Sequence, residues 1–267
     1  MNRTRTIYQL QNASRRCSAI ALLIVGLTLI SSIFACDAAW SAEDHFACFD
    51  ATQCGNRSLS SSALCLKNRD YTITTAPRDS EVIALSIHGG EIEPMTSEIT
   101  QTLADHYNWS RYDFKAHGTA ECLEERGNFD TLHITATQFD DPVALALVNR
   151  HSKAIAIHGA RNLPRETICV GGGKPSQIQA FINFINRNRD NSPYSINANF
   201  GDGKCAGLKG EKPFNIVNRT ASHAGLQLEL SRQMREDLVK QTPEAERLRH
   251  ILYDAIATAL TSTDPIK

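Results

Sequence analysis

From Val82 onward the chain alternates apolar runs of five to seven residues with longer segments of helical period, and no other feature restricts its fold so strongly. Val82 to His88, Asp113 to Ala116, Thr131 to Ala136, Ala154 to His158, Thr167 to Val170 and Leu226 to Leu230 read as strands. Between them, Thr96 to Tyr107, Pro142 to Asn149 and Pro175 to Asn188 read as helices. A Thr/Ser cap opens the first, and Pro142 follows Asp140 and Asp141 into the first turn of the second. A last helix, Pro243 to Thr261, places Leu248, Ile251, Leu252, Ala255, Ile256, Ala259 and Leu260 on one face, the spacing of a structural helix. The pattern predicts an α/β fold: a single domain with a mixed, mostly parallel twisted sheet and helices on both faces. Arg189 to Pro213 is polar, Gly/Asn-rich and aperiodic, which predicts a long loop of the kind that often carries function.

With 267 residues and 42% hydrophobic content the chain can bury one sizeable core, and a formal net charge of -1 gives no reason to expect nucleic acid as a partner. The first residues read differently. Arg3, Arg5, Arg15 and Arg16 form a basic stretch ahead of the apolar run Ser18 to Ala35, and small residues follow. Residues 1–42 are therefore expected to be an export signal, and the protein to be secreted or periplasmic. Cys36 ends an imperfect lipobox whose Phe34 is too large, and Ser14-Arg15-Arg16 is a weak twin-arginine signal. Plain export is the preferred reading, with no membrane association after signal removal unless Cys36 is lipidated.

Cys48, Cys54, Cys65, Cys122, Cys169 and Cys205 remain beyond that signal, an even number that reads as disulfides in an oxidising compartment. Fifteen pairings are possible if all are bridged, and sequence does not choose among them. Residues 43–70 form a cysteine-rich extension, and 71–267 the main domain. The chain has no CxxC pair of the kind that holds structural zinc.

Candidate chemistry gathers at strand ends. His88 in Ser86-Ile87-His88-Gly89-Gly90 and His158 in Ile157-His158-Gly159 each close an apolar run and precede glycine, and ligands bind at the carboxyl ends of strands in open α/β sheets. Two such histidines with a nearby carboxylate point to metal ligation. Glu91 gives an HxxE spacing known from zinc sites, whereas Glu93 lies five residues past the histidine, and spacing leaves the choice open. Glu229 lies between Leu228 and Leu230, where a carboxylate is costly unless it faces a metal, a cation or a catalytic water. Alternation alone would also give a strand with one solvated face. His133 occupies another strand-like run. Arg219 and Arg232 flank the Glu229 region; arginines match substrate carboxylates, although just past a strand they are more often surface ion-pair partners. Val170 to Gly173 lacks the Lys-Ser/Thr of a P-loop and reads as a tight strand-to-helix turn, and no GxSxG elbow exists for a serine hydrolase.

In order along the chain, HGGEIEPMTSEI, YDFKAHG, LHITATQFDDP, AIAIHG, VGGG, NIVNR and GLQLELSRQMR resemble the motifs of the phage-type, zinc-dependent poly-γ-glutamate hydrolases and their bacterial relatives, several of which carry a label as phage replication proteins. The resemblance covers Tyr71 to Arg235. It implies a carboxypeptidase A-like zinc hydrolase fold, one zinc ion per chain held by His88, Glu93 and His158, and Glu229 as general base. It also implies substrate-facing roles for His133, Arg219 and Arg232. The implied substrate is a polyanionic γ-glutamyl polymer; another exported amide such as cell-wall γ-glutamyl peptide, or a non-catalytic binding module, are the alternatives. Met95 stands where the family usually has glycine, and Ala136 where it has serine.

Overall fold

A computed structural model describes residues 67–117 and 132–262. The expected export signal and Cys48, Cys54, Cys65 and Cys122 lie outside them. In chain order the elements are β1 (Tyr71–Ala76), β2 (Val82–Gly90), α1 (Thr96–Tyr107), β3 (Ser110–Ala116), α2 (Pro142–Arg150), β4 (Lys153–Ala160), β5 (Thr167–Gly172), α3 (Pro175–Asn188), β6 (Asn197–Asn199), β7 (Ala224–Ser231), α4 (Arg232–Leu238) and α5 (Pro243–Thr261). The strands form one sheet in the order β1-β3-β2-β4-β7-β5-β6. Its centre, β3-β2-β4-β7, is parallel, while β1 joins β3 and β5 joins β7 antiparallel. The expected mixed, mostly parallel α/β sheet is borne out.

Parallel strands need cover on both faces, and their alternating side chains supply two cores. Ala84, Ile155, Ile157, Leu226, Leu228 and Leu230 pack on one face against apolar residues of α1, α3, α4 and α5. Ile83, Leu85, Tyr112, Phe114, Ala154 and Ala156 pack on the other against Ala144 and Val148 of α2, with Leu132, Ile134 and Phe139 beside them. Each fully buried Leu or Ile in these layers contributes roughly 1.5–3 kcal/mol. Because Leu226, Leu228 and Leu230 face the four-helix side, Gln227 and Glu229 face the opposite one. There α2 packs under β2, β3 and β4, and loops cover β7.

Several expectations need correction. The predicted strand over 131–136 does not form in its described part, 132–136: His133 to Thr135 belong to no strand, although Leu132 and Ile134 are buried as their alternation implies. Alternation recognises an extended, half-buried segment, but a strand also needs a ladder partner. The N-cap of α1 is Met95, with no side-chain cap; the Thr96 hydroxyl instead donates to the Glu93 carbonyl at 2.9 Å. Met95 has φ 76°, a left-handed conformation that favours glycine, which accounts for the glycine expected there in the resembling family. Val170-Gly171-Gly172 is part of β5 rather than a bare turn. The edge strands β1 and β6 and the helix α4 were not among the expected elements, although the β-branched run of β1, YTITTA, carries a strand signal. By contrast, Asp141 caps α2 as expected, accepting from the Ala144 amide at 2.8 Å. Among the described residues no helix is long and apolar enough to cross a membrane.

Cys169 on β5 is bridged to Cys205, 36 residues on, with 5.3 Å between their Cα atoms. A loop of that length should stabilise the fold by on the order of 3–4 kcal/mol in the chain-entropy picture. Urea denaturation of a Cys169→Ala/Cys205→Ala protein is expected to show a loss of about that size. An unchanged midpoint would mean that the bridge adds no constraint.

Candidate active site

The site lies where three adjacent parallel strands end. The register of β2 against β3 shifts between Ser86 and Gly89, so His88 sits in an irregularity of the kind that re-aims a side chain. Gly90, at φ 64°, then turns the chain back. Ile92 is buried in the core, and Glu93 folds under the strand end, its amide donating to the His88 carbonyl at 2.9 Å. Glu91, one step to the other side of Ile92, is exposed. The ambiguity between the two glutamates is thus resolved by burial: Glu93 is 6% exposed and meets His88.

His88, Glu93 and His158 converge tightly. His88 Nδ1 lies 3.0 Å from Glu93 Oε1 and 3.1 Å from His158 Nδ1, and His158 Nδ1 lies 3.5 Å from Glu93 Oε2. Glu93 Oε2 also accepts from the Gly159 amide at 2.8 Å. His88 Nε2 is 2.7 Å from the Ile134 carbonyl, which can only accept, so that nitrogen carries a proton. In the neutral ring Nδ1 then has a lone pair, aimed at a carboxylate oxygen and a second ring nitrogen. Electron-rich atoms converging in a buried place fit a cation. The donor separations are close to the tetrahedron edge of about 3.3–3.4 Å that follows from metal bonds of about 2.0–2.1 Å to N and O. His158 Nε2 is buried without a partner among the described residues, so the hydrogen bonding of this ring is all at Nδ1, toward the cluster.

His133 borders the same cluster. Its Nε2 lies 3.8 Å from Glu93 Oε1, its ring packs on His88 at 4.0 Å between centroids, and His88, Glu93 and His133 form a group of candidate metal ligands. Its side chain is 23% exposed, against 3% for His158. Charge sets the protonation of the buried groups. Burial raises the Glu93 carboxyl, but the charge of His88 in its protonated form, with the hydrogen bonds that both rings donate when Nδ1 carries a proton, outweighs it and holds Glu93 well below the usual carboxylate range. Burial also lowers the His158 imidazolium, but the charges of Glu229 and Glu93 outweigh it and raise its pKa.

Glu229 pairs with His158 across β4 and β7 and is itself 8% exposed, so the reading of a strand with one solvated face does not describe it. Gln227 donates to Glu229 Oε1 at 2.9 Å, and Asn215 donates to Gln227 Oε1 at 2.7 Å, a chain of amides that fixes the carboxylate. Burial pushes the Glu229 carboxyl above its ordinary range, the charge of Glu93 adds to the rise, and His158, Gln227 and Arg235 offset it in part.

These groups line a cleft of about 900 Å³. Arg232 lies on its rim, 74% exposed and paired with Glu236 at 2.8 Å. Arg219, half-buried just after a short turn at Ile216–Asn218, is not brought to the cleft. Sequence reasoning missed Arg235. This residue is 4% exposed, lines the cleft, donates to the Pro94 carbonyl, and keeps Nε without a partner among the described residues. A Cβ on Gly159 would come within 2.5 Å of the Arg235 guanidinium carbon, so the glycine after His158 makes room for this cation. The available signal was that Arg235 closes the GLQLELSRQMR motif; an arginine three residues into a helix gave no other hint of burial.

Known proteins share this arrangement of chain. The SPbeta prophage-derived UPF0714 protein YoqZ of Bacillus subtilis (strain 168) is 30% identical over 190 residues, 70% of this chain and 63% of YoqZ. The UPF0714 protein YndL of the same organism is 33% identical over 169 residues, 63% of this chain and 60% of YndL. The chain therefore spans about three-fifths of the length of these curated relatives. It shares its fold with a bacteriophage poly-gamma-glutamate hydrolase, at TM-score 0.59 and 24% identity over 71% of this chain and 89% of that one. A zinc-free structure of YndL superposes with TM-score 0.58 at 27% identity, covering 71% of this chain and 91% of the other. The family model for poly-gamma-glutamate hydrolase matches residues 60–256, a span that holds β1 to β7 and every group in the cleft, and the chain belongs to that family.

Proposed function

We propose that this protein is an exported, zinc-dependent amidohydrolase that cleaves γ-glutamyl amide bonds, with poly-γ-glutamate as its substrate. The observation that carries this reading is the meeting of His88, Glu93 and His158 with the buried carboxylate of Glu229 at the ends of β2, β4 and β7. His88, Glu93 and His158 would hold the zinc ion, one per chain, and His133, more exposed, would face the substrate. Zinc held by such donors supplies Lewis acidity, which acidifies water and polarises a carbonyl.

The remaining chemistry belongs to side chains. Glu229 takes a proton from the attacking water on the carboxylate that Gln227 orients, and returns it to the nitrogen of the leaving amine. A raised proton affinity suits a base that must later act as an acid. Each residue of a γ-linked glutamyl chain keeps a free α-carboxylate, and the buried guanidinium of Arg235, with Arg232 on the rim, offers the fork that such a group accepts. Arg219 does not line the cleft and has no part in this scheme.

A substrate panel tests it. Zinc-loaded protein is expected to shorten poly-γ-glutamate and to leave poly-α-glutamate intact, as followed by size-exclusion chromatography. Cleavage of purified cell-wall peptide with the polymer untouched would sink the polymer reading and favour a wall γ-glutamyl link.

A further inference from the structure

The long polar stretch 189–213 is not a plain loop. Its later part, Lys204 to Lys212 except the buried Cys205, lines the same cleft as the histidines. It hangs from the sheet at both ends. Cys205 is bridged to Cys169, and Cys169 pairs directly with Glu229 across β5 and β7, so the bridge leaves the sheet beside the proposed base. At the other end, the Gly172 amide donates to the Lys209 carbonyl at 2.8 Å, and the Asn218 side chain donates to the Gly210 and Lys212 carbonyls at 2.7 and 2.9 Å. A Cβ on Gly171 would stand 2.1 Å from the Lys209 carbonyl oxygen, so the glycines of β5 let this segment lie directly on the strand. Lys204, Lys209 and Lys212 make no ion pair among the described residues, and Glu211 is the one acidic side chain of the segment in the cleft.

A wall with three uncommitted ammonium groups, fixed by a disulfide next to the base, has one evident use. We infer that the segment Gly203 to Lys212 is a lysine-bearing wall that binds free carboxylates of the substrate chain beyond the bond being cleaved, and that the Cys169–Cys205 bridge holds it in place. The inference rests on the γ-glutamyl reading above for the identity of the polymer. Ammonium groups on flexible stems tolerate varied carboxylate positions along a polymer, whereas the buried Arg235 would select one. The two together separate holding the chain from placing its scissile bond.

Binding can be measured apart from turnover in the full-length, metal-loaded Glu229→Gln protein, with fluorescently labelled poly-γ-glutamate and anisotropy as the readout. Adding Lys204→Ala, Lys209→Ala and Lys212→Ala together is expected to weaken binding about tenfold and to flatten its salt dependence. Lys→Arg replacements should restore both. Cys169→Ala/Cys205→Ala is expected to weaken binding in the same direction with the lysines intact. If that protein does not fold, Gly171→Ala, which pushes on the Lys209 carbonyl and leaves the bridge in place, should give the loss instead. Unchanged affinity in the lysine variant would overturn the wall, and unchanged affinity in both clamp variants would overturn the role of the bridge. Lysine-dependent binding by a wild-type protein that does not cleave the polymer would support the wall and remove the hydrolase reading. Cleavage with lysine-independent KM would remove the wall alone.

Discussion

Glu229→Gln is expected to lower kcat by about 10²–10⁴-fold, the usual contribution of a positioned general base, with metal content unchanged. The substitution keeps the shape of the side chain and its hydrogen bond from Gln227, now made at 2.9 Å to Oε1, while removing the buried carboxylate proposed to take and return the water proton. Because proton transfer belongs to the transition state, KM should change little. Rate assays on poly-γ-glutamate with metal analysis of the same preparation separate this outcome from a general collapse of the site. A Glu229→Gln protein with normal metal and full activity would remove Glu229 from the chemistry.

The second large effect concerns the metal. His88→Ala or Glu93→Gln takes away one of three donors that lie within 3.5 Å of one another, and leaves the rest too few to hold a divalent ion tightly. Affinity for zinc is expected to fall by more than about 100-fold, the upper end of what losing a residue that merely supports a ligand costs. Activity should fall with it. Glu91→Gln is the informative control, because Glu91 is exposed and makes no hydrogen bond or ion pair with the histidines among the described residues. It should bind zinc as the wild type does. His158→Ala should resemble His88→Ala, whereas His133→Ala should keep the metal and raise KM.

Much of this was legible in sequence because the strands that carry the site are buried on both faces. Val82 to His88, Ala154 to His158 and Leu226 to Leu230 are continuous or alternating apolar runs; the first two end in a histidine and the third carries Glu229 between two leucines, polar groups that have no place in a core unless they are used. The choice between Glu91 and Glu93 was less accessible. It depends on how the chain folds back after Gly90, which buries Glu93 against His88 and leaves Glu91 exposed, and only the resemblance to the family pointed to Glu93 beforehand. The segment at His133 misled because alternation reports half-burial and not a ladder. The edge strand β6 was hidden for the opposite reason: Asn197 to Asn199 is short and polar, as an edge can be. Arg235 escaped notice because its burial depends on the space left by Gly159, a residue 76 positions away in sequence, and no local pattern records such a contact.

The central claim is that hydrolysis depends on a metal held at His88, Glu93 and His158. The most direct measurement strips the protein with a chelator, adds zinc stepwise and follows the shortening of poly-γ-glutamate at each step. The account predicts no cleavage in the stripped protein, a rise that stops at one zinc per chain, and no recovery when the same titration is made on His88→Ala. Full cleavage by the stripped protein, or recovery in His88→Ala, would contradict it.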